Sequence, residues 1–285
     1  MDTDIGEFLR IRRDRITPDQ VGLRPGITRR RVPGLRREEV ALLAGVSPDY
    51  YVRLEQGRTT HVSDQVLLAV AQVLSLSDVE TEHLTNIARP SASSRPTLRV
   101  SAAAADEPLV RLLNAMPDSP ALLIDISMNI LDANTAAKTV FDISRMVSPA
   151  NAATQLFLSP DAHDRYMNWA SIAADTVAHL RLMTGRWPKD ARLTTLIGKL
   201  AIHSDAFRQL WAAGEVREKR VGHARIRHPL VGELSFDYHV LAVPARPDRS
   251  IFTYLPQPGT SSVEALHMLL SWTATANGQE AGVRT

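Results

Sequence analysis

The chain has 285 residues, which at roughly 100 to 200 residues per domain suggests two domains. Hydrophobic residues make up 44% and charged residues 22%, ordinary globular usage that excludes wholesale disorder. With no cysteine, disulfides, thiolate catalysis and cysteine-based zinc sites are excluded. Apolar runs such as Pro120-Ala121-Leu122-Leu123-Ile124 are too short to span a bilayer, and residues 1–7 lack the basic-then-apolar order of a signal peptide. A cytoplasmic protein with no membrane partner is the expectation.

Formal net charge is +2, but its distribution is uneven. Ten arginines lie between Arg10 and Arg37 against two acids, Asp14 and Asp19, a local net of +8 that leaves −6 for the rest. One basic segment on a mildly acidic protein is the footprint of a nucleic-acid or anionic-surface contact. The chain's 29 arginines and 4 lysines also fit a GC-rich coding bias, which would place arginine anywhere.

In chain order, Ile5, Phe8, Leu9 and Arg12 recur at i, i+3, i+4 and i+7 and predict a helix ending near Arg15, ahead of Pro18. A second helix is expected over 35–44, with Val40, Leu43 and Ala44 on one face, stopped by Gly45. Ser47-Pro48 opens a third as N-cap and first-turn proline, running to Gln56 before Gly57. Ser63 caps a fourth over 64–74. The capping box Ser77-Asp78-Val79-Glu80 starts a fifth that stops at Pro90.

Ser- and Ala-rich sequence then marks a linker. Beyond it, Leu122–Asp125 and Ile130–Asp132 flank Ser127-Met128-Asn129 as a hairpin. A long helix is expected from Ser159-Pro160 to about Met183, with Trp169, Ile172, Thr176, Val177 and Leu180 on one stripe, then helices over 190–203 and 205–213. Strand-like runs follow over 216–227, 232–243 and 251–255, with a last helix over 263–272. The boundaries expected are a five-helix all-α domain over 1–90, a linker over 91–105, an α+β domain with an antiparallel sheet over 106–273, its helices on one face, and a tail over 274–285.

The second and third helices carry the chemistry. Two short amphipathic helices joined at Gly45 make a helix-turn-helix unit. Ala41 allows a close crossing, while Val46, Tyr51 and Leu54 face the core. Ser47, Pro48, Asp49, Val52 and Arg53 are then turned outward, where side chains of such a helix reach base edges in the major groove. Arg36 and Arg37 lie near the start of the second helix, where amides and cations jointly grip a phosphate.

This segment resembles the Xre-type helix-turn-helix domain, and the chain as a whole is similar to the actinobacterial MmyB-like transcription regulators. The resemblance rests on Phe8-Leu9-Arg10 with Arg12-Arg13, Pro33-Gly34-Leu35-Arg36-Arg37-Glu38-Glu39-Val40-Ala41 and Tyr50-Tyr51-Val52-Arg53-Leu54-Glu55-Gln56-Gly57-Arg58. It continues in Phe207-Arg208-Gln209-Leu210-Trp211, Val216-Arg217-Glu218, His228-Pro229-Leu230-Val231-Gly232-Glu233-Leu234 and Asp237-Tyr238. It implies a PAS-like ligand-binding C-terminal domain, at least one relative holding a fatty acid there. The sequence departs from the family at Ala133, where Trp is usual before Asn134, and at Val32, where Thr is common.

The resulting expectation is a dimeric regulator on a palindromic double-stranded operator. Ser47, Pro48, Asp49, Tyr50 and Arg53 read or border bases. Arg36, Arg37, Arg58 and the loop arginines Arg29, Arg30 and Arg31 hold phosphates, the loop lying along the backbone or in a minor groove. Trp169, Trp211, Phe236, Tyr238, Phe252 and Tyr254 are candidates to line a cavity for an apolar, fatty-acid-like effector, with no other cofactor. The rival is a ligand-binding or protein-interaction module that never touches DNA. An enzyme is not expected: the histidines 179, 203, 223, 228 and 239 have no zinc-protease spacing, and Gly45–Asp49 lacks the final glycine of a nucleophile elbow.

Overall fold

The computed structural model describes residues 4–23, 34–59, 62–89 and 102–282. The chain forms two compact units. The first comprises Met1–Pro96 together with Arg181–Ala191 and Gln209–Glu218; the second holds Thr97–Leu180, Arg192–Arg208 and Lys219–Thr285. Two stretches of the C-terminal half therefore fold with the N-terminal helices, an arrangement that a linear division of the sequence does not contain.

The first unit is built on α1 (Asp4–Arg15), α2 (Arg37–Leu43), α3 (Pro48–Glu55), α4 (Asp64–Val73) and α5 (Asp78–Ala88). Each start has a chemical reason. The Arg36 amide donates to Glu39 Oε2 at 2.7 Å, Ser47 Oγ accepts from the Tyr50 amide at 3.2 Å, and Ser63 Oγ accepts from Val66. Ser77 and Glu80 close a reciprocal capping box, so amides without intrahelical partners are satisfied by side chains. Apolar residues of all five helices meet in one core: Phe8, Leu9, Leu35, Val40, Tyr51, Leu54, Leu67, Val70 and Leu84 are buried. Leu43, expected inside, is 38% exposed and Leu42 is 73% exposed, because α2 ends at Leu43 and the chain turns away through Gly45 at φ 69°.

The second unit carries a five-stranded antiparallel sheet in the order β2-β1-β5-β4-β3. The strands are β1 (Ala121–Asp125), β2 (Ile130–Ala133), β3 (Val221–His228), β4 (Gly232–Ala242) and β5 (Arg249–Pro256). The alternation expected in β4 is present: Leu234, Phe236 and Tyr238 are buried, while Glu233 is exposed and Ser235 and Asp237 are half-buried. Helices α6 (Ala102–Asn114), α7 (Thr135–Phe141) and α8 (Ala152–Leu158) were not expected from the sequence. Helices on one face of the sheet do not describe it either. Leu109, Leu113 and Met116 of the α6 region pack on Ala121, Leu123 and Ile251, the opposite side of the strands from Leu122 and Phe252. β1 is therefore buried on both faces and reads as a continuous apolar run.

The single long helix expected from Ser159-Pro160 is two helices, α9 (Ala162–Arg165) and α10 (Trp169–Arg186). Between them the backbone pairs with β3: Tyr166 bridges Ile226, the Met167 amide donates to Arg225 O at 2.8 Å, and Asn168 bonds both His223 O and the Arg225 amide. Those strand bonds replace the helical ones. Helices α11 (Ala191–His203), α12 (Asp205–Ala212) and α13 (Ser262–Gly282) complete the fold. α13 continues past Trp272 to Gly282, inside the stretch expected as a tail, and α6 starts inside the stretch expected as a linker.

Candidate nucleic-acid interface and ligand cavity

The outward row of α3 is fixed from behind. Tyr51 and Leu54 are fully buried, so helical periodicity turns Ser47, Pro48, Asp49 and Arg53 to solvent, with Tyr50 and Val52 half-buried. Arg36 and Arg58 are exposed as well. Arg37 has a second engagement: its Nε and Nη2 donate to Glu55 Oε1 at 3.1 and 3.0 Å, and that hydrogen-bonded carboxylate raises the pKa of its guanidinium. Arg37 thus ties the start of α2 to the end of α3. Arg29, Arg30, Arg31 and Val32 lie outside the described residues.

The basic segment is not uniformly available to a ligand. Arg12 and Arg13 are buried. Arg13 donates to Leu35 O at 2.6 Å and lies 3.4 Å from the buried Glu55. Arg12 reaches Gly214 O at 3.0 Å and Glu80 at 2.8 Å. Arg15 bonds Ala213 O and pairs with Glu215. Gly34 lies against this clasp: a Cβ there would meet Arg13 O and Asp14 Cα at 2.5 Å, so only glycine lets the chain pass the end of α1. Of the ten arginines counted as a surface footprint, Arg12 and Arg13 are buried fastenings and the exposed Arg15 and Arg37 are also tied to acids of the chain, which the sequence does not reveal.

The C-terminal segments of this unit are held in the same way. Arg181 donates to Trp211 O at 2.5 Å, lies 3.3 Å from Glu7 and places its guanidinium 4.5 Å from the Trp211 ring centroid. Arg186 pairs with Glu82 on α5 and with Glu218, each at 2.8 Å. His83 of α5 is buried with its ring edge-on to Phe8. Burial, then the charges of Arg181, Arg12 and Arg186, lower its pKa to about 3.

The second unit contains a pocket that encloses about 630 Å³ when its open mouth is included. Its floor is one face of the sheet, with Leu122, Ile124, Tyr238, Phe252 and Tyr254; Phe141, Met146, Leu156 and Ile172 close over it. Of the six aromatic candidates, Tyr238, Phe252 and Tyr254 line it and three do not. Trp169 donates its indole N–H to Leu156 O at 2.8 Å and stacks on His163. Trp211 belongs to the first unit, against Arg181. Phe236 is fully buried, edge-on to Tyr254 at 6.1 Å. Ala133 is buried but is not among the lining residues. Asn134 caps α7, accepting from the Ala137 and Ala121 amides and donating to the carbonyls of Leu113, Met116 and Ser119.

The polar lining residues are Gln155, Thr176, Lys219 and the tyrosines Tyr166, Tyr238 and Tyr254. Lys219 was not singled out in the sequence, where it falls within the strand-like run expected over 216–227. Its rarity, as one of 4 lysines beside 29 arginines, is the only local signal. Among the described residues no group of His, Asp and Glu is arranged to hold a metal ion, and no helix is long and apolar enough to cross a membrane.

A model described as the MmyB-like transcription regulator ligand binding domain matches residues 105–270, and a helix-turn-helix domain model matches residues 4–84. No curated protein matches the chain. The two matches fall on the sheet with its cavity and on the helices with their exposed α3, and the first alone covers more than half of the chain. With that architecture it belongs to the MmyB-like transcription regulators, ligand-regulated DNA-binding proteins rather than an enzyme family.

Proposed function

We propose that the chain works as a cytoplasmic homodimer that reads a palindromic operator with Ser47, Pro48, Asp49, Tyr50 and Arg53 and releases or engages it in response to an apolar, fatty-acid-like effector. The observation that carries the reading is the polar row along α3, exposed at Ser47, Pro48, Asp49 and Arg53 while Tyr51 and Leu54 anchor the helix in the core. Arg36 and Arg58 hold phosphates beside it. Arg37 contributes positive charge while remaining tied to Glu55. A two-fold dimer presents two copies of α3 about 34 Å apart, one turn of DNA. The apolar cavity supports the effector class, since each buried methylene of a ligand contributes about 0.8 kcal/mol.

The test is a gel shift with DNA from upstream of its own gene at two salt concentrations. Arg53→Ala is expected to weaken binding to the cognate site by about 1–3 kcal/mol and to relax preference at one base. Arg58→Ala is expected to weaken all sequences alike and to reduce the salt slope by about 0.9. Identical behaviour of the two variants across sequences removes α3 from the groove.

A further inference from the structure

Lys219 lies at the cavity wall and is buried, 8% exposed. Its side-chain nitrogen donates to Thr176 Oγ1 at 3.0 Å and sits 5.1 Å from the Tyr238 ring centroid. The Thr176 hydroxyl itself donates to Ile172 O at 2.7 Å, so it accepts an N–H from Lys219 and does not cover the lone pair of a neutral amine. The Lys219 backbone amide donates to His179 Nδ1 at 3.4 Å, which holds the root of the side chain against α10. Asp175 acts on Lys219 through its charge but forms no ion pair with it. The other buried lysine and arginine side chains of the described residues, Arg12, Arg13, Arg181 and Arg249, each face a carboxylate within 4 Å. The remaining lysines, Lys138, Lys189 and Lys199, are exposed.

We propose that Lys219 is a covalent capture site, its amine adding to the carbonyl carbon of an apolar aldehyde held in the cavity to form a reversible imine. This rests on the reading of the cavity as a site for apolar molecules and adds a chemical step to it. The nitrogen lone pair forms the C–N bond, and the carbonyl π pair moves to oxygen, which gains a proton as nitrogen loses one. Nitrogen then gives up a second proton while the hydroxyl departs, so aldehyde and amine yield imine and water without oxidant or reductant. An ammonium in an apolar wall without an acid is destabilising, and the neutral imine removes that charge. Burial lowers the Lys219 pKa to about 8, so near neutral pH far more of it is the free nucleophile than of an exposed lysine. The alkyl chain takes the face formed by Leu122, Phe252 and Ile172.

The experiment treats the full chain with decanal and sodium cyanoborohydride, which reduces an imine to a stable secondary amine, and locates the alkylated lysines by peptide mass spectrometry. The three exposed lysines serve as controls within the same folded molecule. Lys219 is expected to be labelled at least about tenfold faster than any of them at neutral pH, although they are open to solvent. Its rate is expected to level off above about pH 8 while theirs still climbs. An excess of decan-1-ol, which fills the same apolar space and forms no imine, is expected to slow labelling of Lys219 and leave the other three unchanged. Labelling of Lys219 no faster than that of the exposed lysines, or labelling that decan-1-ol does not slow, overturns the capture site. Calorimetric titration with decan-1-ol then separates the two readings: heat of binding leaves the apolar sensor standing, and its absence removes sensor and capture site together.

Discussion

In the helical unit, buried arginines meet acids and carbonyls that the chain itself supplies: Arg12 with Glu80 and Gly214 O, Arg13 with Glu55 and Leu35 O, Arg181 with Glu7 and Trp211 O. In the sheet unit, Lys219 has a threonine hydroxyl and an aromatic face. The same kind of charge is internally compensated in one unit and left uncompensated in the other. Desolvating a cation is expensive unless a partner restores what water gave. A compensated cation therefore acts as a fastening, and an uncompensated one is driven toward its neutral form. The arginine-rich N-terminus, whose charge suggested a ligand, spends part of that charge on its own architecture.

The comparison can be broken most sharply at Glu55. Glu55→Ala removes the buried one of the two carboxylates beside Arg13, the half-exposed Asp14 staying at 3.1 Å, and unties Arg37 from α3. A loss of about 3 kcal/mol in the helical unit is expected, the lower end for a severed buried pair, because Arg37 can rehydrate. Urea unfolding followed by circular dichroism measures it. Lys219→Met, which removes an unpaired charge, is expected to leave stability unchanged or raised in the same assay. Equal losses from the two variants contradict the distinction.

A smaller effect sharpens it through pH. His83 sits among compensated arginines and is held neutral, its pKa lowered from 6.5 to about 3. The unfolded chain therefore binds more protons than the folded one between those values. Stability is fully present above about 6.5 and falls as pH drops, by about 2 kcal/mol between pH 6.5 and pH 5. Unfolding midpoints across that range check the slope, which is expected to flatten in His83→Asn. The smallest effect is Ser47→Ala, which removes the α3 cap. A loss of about 1 kcal/mol is expected, readable as a lowered melting temperature without any DNA present.

Much of the helical unit was legible because its signals are local. Ser47-Pro48, Ser63 and Ser77 with Glu80 cap the helices they were expected to cap, and Gly45 turns where expected. Strand β4 was legible from alternation, which reports one buried face, and the hairpin from two short apolar runs flanking Ser127-Met128-Asn129. The missing helices α6, α7 and α8 have no such mark: α6 begins in an alanine-rich stretch that reads equally as linker. The break at Tyr166–Asn168 depends on strand β3, about sixty residues away, and helical spacing in the sequence runs straight across it. Trp169, Trp211 and Phe236 show the same limit at the cavity, since aromatic character says that a side chain will be buried but not against what.

The sequence by itself determined that helices 2 and 3 make a helix-turn-helix unit and that an antiparallel sheet follows, because capping, turn chemistry and periodicity act over a few residues. The three-dimensional fold alone decided which arginines are fastenings, which aromatics meet at one cavity, and that 181–191 and 209–218 join the N-terminal helices. Those outcomes depend on charge compensation and packing between residues far apart in the chain, where no local pattern records the partner.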